Sequence, residues 1–235
     1  MNEKILEIKS LKGWYKKGSN ILSELSLSLN KNEIVGLIGL NGAGKTTLIK
    51  ILSGLLESYN AETICYDGKP INFRDNRFKN QRYTVFSEDS SFGYFTFREY
   101  LSYVFSAYGK KLTDVTGLVK GFHFEEYENK LLKDLSMGNR RKVNLITAFA
   151  LKAPLLFLDE PVNGLDFQST EFLYSLISDY KNHGTLLFSS HILESITLTS
   201  DRVMVLENGS ISRIFEGGEI TAESVRKVLK LDNVI

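Results

Sequence analysis

Apolar and polar residues alternate along the opening stretch KILEIKSL, the period-two pattern of a half-buried strand. SELSLSLNKNEIVGLIGLNG alternates again and breaks at a polar turn over residues 30–32. It then becomes the unbroken apolar run Ile34–Ile38, the pattern of a strand covered on both faces. KTTLIKILSGL predicts a helix ended by Gly54. ETICYDGKPI predicts two strands joined by an Asp-Gly turn, and RYTVFS another strand. Over residues 95–152 the pattern turns mostly helical, with Thr96 and Glu99 spaced as a capping box ahead of YLSYVFSAYG. LLFLD is again a buried strand. A helix over about residues 169–182, the strand GTLLFSS, a helix from His191 and the Asn-Gly hairpin RVMVLENGSISRIF follow. Strand–helix alternation on either side of a helical block predicts an α/β protein. We expect one domain over residues 1–235, with an N-terminal antiparallel β-subdomain. Its core would comprise residues 1–88 and 153–235, with a helical subdomain inserted at 89–152.

Composition changes this picture little. A chain of 235 residues is long enough for a full core. Its 43% hydrophobic and 24% charged residues are ordinary for a globular protein. Lys and Arg number 29 against 28 Asp and Glu, so net charge gives no reason to expect nucleic acid as a partner. The single cysteine, Cys65, cannot form an internal disulfide and points to a reducing compartment. MNEKILEIKS lacks the apolar segment of a signal peptide. No window reaches the roughly 18 apolar residues of a membrane span. Any work at a membrane therefore implies another chain that crosses it.

The candidate chemistry is more specific. GLNGAGKT, residues 39–46, fits G-x-x-x-x-G-K-[ST] and sits between a buried strand and a helix, as a P-loop NTPase core requires. Gly39, Asn41, Gly42, Ala43, Gly44 and Thr47 would surround the phosphates of ATP. Lys45 would reach the β- and γ-phosphates, and Thr46 would ligate Mg²⁺. LLFLDEP ends a strand in two acids. Asp159 is the candidate to hold Mg²⁺ and Glu160 the candidate general base on the attacking water. Alone, such a pair is better read as a solvated strand end; the phosphate loop reverses that reading. SSH ends the next strand. On a parallel sheet these strand ends share the ligand-binding edge, which places His191 to contact a γ-phosphate. LSMGNRRK, residues 135–142, breaks a rule. A helix start favours acids, yet this one carries Arg140, Arg141 and Lys142. Either they form a solvated basic face or an anion from outside the chain sits there.

In this order and spacing, the motifs resemble those of the nucleotide-binding domains of ABC ATPases, over residues 5–216. LSMGN is similar to the signature motif, EPVNGLD to the acidic-strand exit and D-loop, SSH to the switch-histidine loop, and SDRVMVLENGSI to the stretch after it. The resemblance implies Mg-ATP hydrolysis with Glu160, His191 and Lys45 as the catalytic set. It also implies head-to-tail pairing with a second nucleotide-binding domain. Ser136, Gly138 and Asp166 would then meet a nucleotide shared across the pair, which supplies the missing anion. An aromatic platform for adenine is expected after the first strand; Trp14 and Tyr15 both qualify, and register favours Tyr15. The family's usual Gln before the insert is absent. Glu88 falls there, beside the expected Mg²⁺, and Asn139 replaces the commoner Gln of the signature.

The same resemblance implies separate transmembrane subunits, engaged through the aromatic stretch SSFGYFTF, and a cytoplasmic location on the inner face of the cell membrane. NGLD, and the roughly twenty residues after Glu216, resemble separately encoded ATPases of bacterial exporters for drugs, peptides or polysaccharides. A non-transport ABC ATPase of the iron–sulfur assembly type is the alternative.

Overall fold

The computed structural model describes residues 3–87 and 91–229. β1 (Lys4–Lys16) and β2 (Ser19–Asn30) pair antiparallel and run further than their alternating stretches predict. Register shifts beside left-handed Ser10 (φ 52°) and Glu24 (φ 55°) absorb the breaks in the pattern. β3 (Ile34–Ile38) leads through the glycine-rich loop into α1 (Lys45–Leu52). β4 (Tyr59–Asn60), β5 (Thr63–Tyr66) and β6 (Lys69–Pro70) extend the first sheet, in the order β2-β1-β5-β6 with β4 on β1. The short α2 (Asn76–Lys79) precedes β7 (Arg82–Val85).

α3 (Phe97–Ala107), α4 (Thr116–Gly121) and α5 (Met137–Leu151) occupy the interval before β8 (Leu155–Leu158), where the sequence predicts a helical block. The capping box forms at α3: the Glu99 N–H donates to Thr96 Oγ1 at 3.4 Å and the Thr96 N–H to the Glu99 carboxylate at 2.7 Å. α6 (Phe167–Asp179), β9 (Thr185–Ser190), α7 (Leu193–Thr199), β10 (Arg202–Glu207), β11 (Ser210–Glu216) and α8 (Ala222–Leu229) follow. The helix predicted from His191 begins two residues later, at Leu193.

The second sheet has the order β11-β10-β3-β9-β8-β7 and is parallel except for β11. Both of its faces are covered, which is why its strands read as apolar runs. Leu156, Leu158, Leu186 and Phe188 face a core shared with α3, α5 and α6. Leu155, Phe157, Leu187 and Met204 face the opposite way, into a core shared with α1 and the antiparallel sheet. The chain runs from β3 out to the β7 edge, returns through β8 to β9, and then crosses to β10. The C-terminal ends of β3, β8 and β9 thus meet where the winding reverses, the usual ligand position in such sheets.

Candidate functional site

The loop after β3 is shaped for close approach. A Cβ on Gly39 would lie 2.4 Å from the Leu206 carbonyl oxygen, so only glycine fits there. Gly44 enters α1 at φ 109° with no side-chain cap, which leaves the helix N-terminal N–H groups open to an anion. A cleft of about 430 Å³ opens above them, lined by Asn41, Gly42, Gly44, Lys45, Thr46 and Thr47 from this loop and by Ile21, Glu160, Asn163 and His191. Lys45 Nζ donates to Gly39 O at 2.7 Å and lies 3.5 Å from Glu160 Oε1.

Asp159 is 1% exposed, and three hydroxyls donate to its carboxylate: Thr46 at 2.9 Å, Ser189 at 2.8 Å and, more distantly, Ser87 at 3.5 Å. No side-chain cation pairs with this carboxylate among the described residues. A buried negative charge satisfied only by hydroxyls fits a hard divalent cation between Asp159 and Thr46. Asp159 and Thr46 would hold Mg²⁺ there, and the ion would neutralise phosphate charge. Glu160 follows at φ 48°, a left-handed conformation uncommon for a non-glycine residue. Its Oε2 is 2.8 Å from His191 Nδ1 and accepts from the His191 N–H at 3.3 Å. A carboxylate near the phosphate loop, oriented by an imidazole, is the arrangement general-base catalysis needs.

At the basic start of α5, half-buried Arg140 and buried Arg141 and Lys142 all have acceptors within the chain. Arg140 Nε donates to Leu132 O at 3.2 Å. Buried Arg141 donates to the carbonyl oxygens of Phe86, Asp159 and Glu160. Burial lowers the pKa of its guanidinium, and the charges of Asp159 and Glu160 partly offset this. Lys142 Nζ pairs with Asp166 Oδ2 at 2.7 Å. Each cation of this turn thus has an acceptor within the chain: carbonyl oxygens for the two arginines and a carboxylate for Lys142.

Ser136 caps α5, accepting from the Asn139 N–H at 3.2 Å. A Cβ on Gly138 would lie 2.4 Å from the Gly164 carbonyl oxygen, so the motif glycine also has a packing reason within the chain. Asp166 caps α6, accepting from the Ser169 N–H at 2.8 Å. Ser136, Gly138 and Asp166 do not line the cleft of their own chain.

Tyr15 is 53% exposed, with Lys50 Nζ 5.6 Å from its ring centroid, while the neighbouring Trp14 is half-buried. Neither lines the cleft. Glu88 lies outside the described residues. Sequence reasoning missed Ile21 and Asn163 on the cleft wall. Ile21 carries no chemical signal and becomes legible only once β2 is known to begin at Ser19. Asn163 lies within EPVNGLD but is overshadowed there by its acids.

A sheet of this winding, with phosphate-binding and proton-accepting groups on its C-terminal edge, is the chemistry of a P-loop nucleoside triphosphatase. The family model described as "ABC transporter" matches residues 22–163. The putative ABC transporter ATP-binding protein AlbC of Bacillus subtilis is 38% identical over 92% of this chain and 94% of its own length. The SkfA peptide export ATP-binding protein SkfE of the same organism is 32% identical over 88% of this chain and 87% of its own length. A solved structure of the ATP-binding subunit of an ABC transporter superposes with a TM-score of 0.81 at 28% identity, covering 98% of this chain and 95% of that one. The chain belongs to the ABC transporter family, as an ATP-binding subunit that hydrolyses ATP with Mg²⁺. The matched relatives include proteins named for import as well as for export.

Proposed function

We propose that this chain powers export of a substrate of the drug, peptide or polysaccharide class through separate membrane subunits, working at the inner face of the cell membrane. The observation that carries its enzymatic core is the Glu160 carboxylate, held between Lys45 and His191 at the wall of the phosphate cleft. The α1 N-terminus and Lys45 bind the phosphates. Lys45 leaves Gly39 O and Glu160 to do so. Glu160 takes a proton from the attacking water, and His191 orients it. Thr46 and Asp159 would hold Mg²⁺, which supplies charge neutralisation for the departing phosphate. Ser136, Gly138 and Asp166 complete the site of a second nucleotide-binding domain, consistent with their place outside their own chain's cleft. Residues 1–88 and 153–235 act as the nucleotide-binding core and 89–152 as a helical subdomain. Export is supported by the likeness to a peptide-export ATPase.

Lys45→Ala should abolish tight ATP binding. Glu160→Gln should keep binding, slow hydrolysis by about two orders of magnitude or more and accumulate a dimer in saturating Mg-ATP. Light scattering that shows monomer alone would overturn the paired site. Direction is read from ATP-dependent transport in membrane vesicles carrying the chain and its membrane subunits. Uptake by inverted vesicles supports export. Transport only in right-side-out vesicles loaded with ATP reverses the direction. Failure to co-purify with any membrane protein favours the non-transport reading.

A further inference from the structure

The Asp159–Glu160 peptide lies just beyond the last ladder pair of β7 and β8, Val85 with Leu158. Its polar groups need partners from elsewhere, because buried N–H and C=O groups are costly unpaired. Ser189 Oγ accepts from the Glu160 N–H at 2.9 Å. On the carbonyl side, Arg141 Nη2 donates to both Asp159 O and Glu160 O, and Nη1 to Phe86 O just past β7; Glu160 O also accepts from the Asn163 N–H at 3.2 Å. Arg141 is 4% exposed, and its acceptors are all main-chain carbonyls. A desolvated cation is an expensive way to join two strand ends. It is worth keeping where the position of those carbonyls matters. They matter here, because Glu160 sits at φ 48°, a conformation that persists only where its surroundings over-determine it. Arg141 also rides on α5, the helix whose N-terminus is Ser136 and whose Gly138 packs on Gly164.

We propose that Arg141 is a positioning residue for Glu160. It locks the peptide that aims the carboxylate at His191 and the cleft, and it makes that aim depend on where α5 sits against the sheet. An α5 displacement would therefore reach the Glu160 backbone directly through this side chain. The proposal rests on the reading of Glu160 as the base.

The test uses the full chain carrying Arg141→Gln or Arg141→Lys, each alone and combined with Glu160→Gln. Three quantities are read: the single-turnover hydrolysis rate at saturating Mg-ATP, the Kd for a fluorescent ATP analogue, and the Tm. Arg141→Gln should lower the rate about thirtyfold or more, as expected for a misaimed catalytic group, with Kd changed less than about threefold. Arg141→Lys, which keeps the charge but not the two-pronged donor set, should recover part of the rate. In the Glu160→Gln background, Arg141→Gln should cost less than about twofold more, since the two changes then remove one function. Equal losses in both backgrounds, or a Kd that worsens in step with the rate, would show a merely structural role. If Arg141→Gln does not fold, Arg141→Lys carries the same comparison. Glu160→Gln alone leaving hydrolysis intact would bring down the base assignment, and this proposal with it. A Glu160→Gln collapse with additive Arg141 losses brings down the proposal only.

Discussion

Asp166 does two jobs with one carboxylate: it caps α6 and it pairs with Lys142 on α5. Burial pushes its pKa up, but Lys142 and the Ser169 N–H and hydroxyl outweigh that and hold it well below the usual carboxylate range. A folded-state pKa below the unfolded one contributes stability that is whole above the unfolded value, about 3.8. That contribution is lost as pH falls from there through the folded value. Asp166→Ala should cost about 1 kcal/mol through the lost cap, or a Tm lower by about 2–4 °C. Asp166→Asn keeps a competent cap and should lose less. Urea unfolding at pH 7 and pH 3 checks both; the difference between wild type and Asp166→Asn should shrink in acid. The cap is legible in the sequence once a helix is placed after EPVNGLD. The pairing with Lys142 is not, because nothing local relates positions 142 and 166.

At the scale of elements, α5 shows what sequence reasoning can reach. Its existence, its Ser136 cap and the oddity of its basic first turn are all legible from residues 135–152. The resolution of that oddity lies in carbonyls near residues 86, 132 and 159–160 and in a carboxylate at 166, which only the tertiary fold assembles. The tight contact of Gly138 with Gly164 was equally hidden. It predicts that Gly138→Ala destabilises the nucleotide-free monomer by about 1–3 kcal/mol, since backbone rather than a flexible side chain must yield. A glycine needed only for a partner's nucleotide would leave monomer stability unchanged. Chemical denaturation without nucleotide distinguishes the two.

For the whole molecule, the order of strands and helices was legible because both faces of the parallel sheet are buried and its turns carry distinct residues. The aromatic stretch after β7 was legible as apolar but not as two populations. Phe92 packs on Phe95, Tyr100 and Tyr103 with centroids 5.4, 5.3 and 5.0 Å away. Tyr94 is 79% exposed, with Lys133 Nζ 4.3 Å from its ring centroid. A polar change at Phe92 would therefore disturb this ring cluster as well as any docking surface. Tyr94→Ser is the clean probe. It should weaken co-purification of a membrane subunit while leaving the Kd for ATP within about twofold, as expected for an interface residue remote from the cleft. Undiminished co-purification would place the contact elsewhere.

The left-handed backbone at Glu160 has a consequence for how such a chain ages. A side chain there costs roughly 1–2 kcal/mol that glycine would not, so Glu160→Gly should be more stable than Glu160→Ala by about that much, measurable in a single pair of denaturation curves. If Glu160 is the base, as proposed, turnover is the gain that offsets this cost. A copy of this domain that no longer needed to hydrolyse ATP would gain stability from Gly at position 160 while its phosphate loop, about 115 residues away in sequence, stayed unchanged.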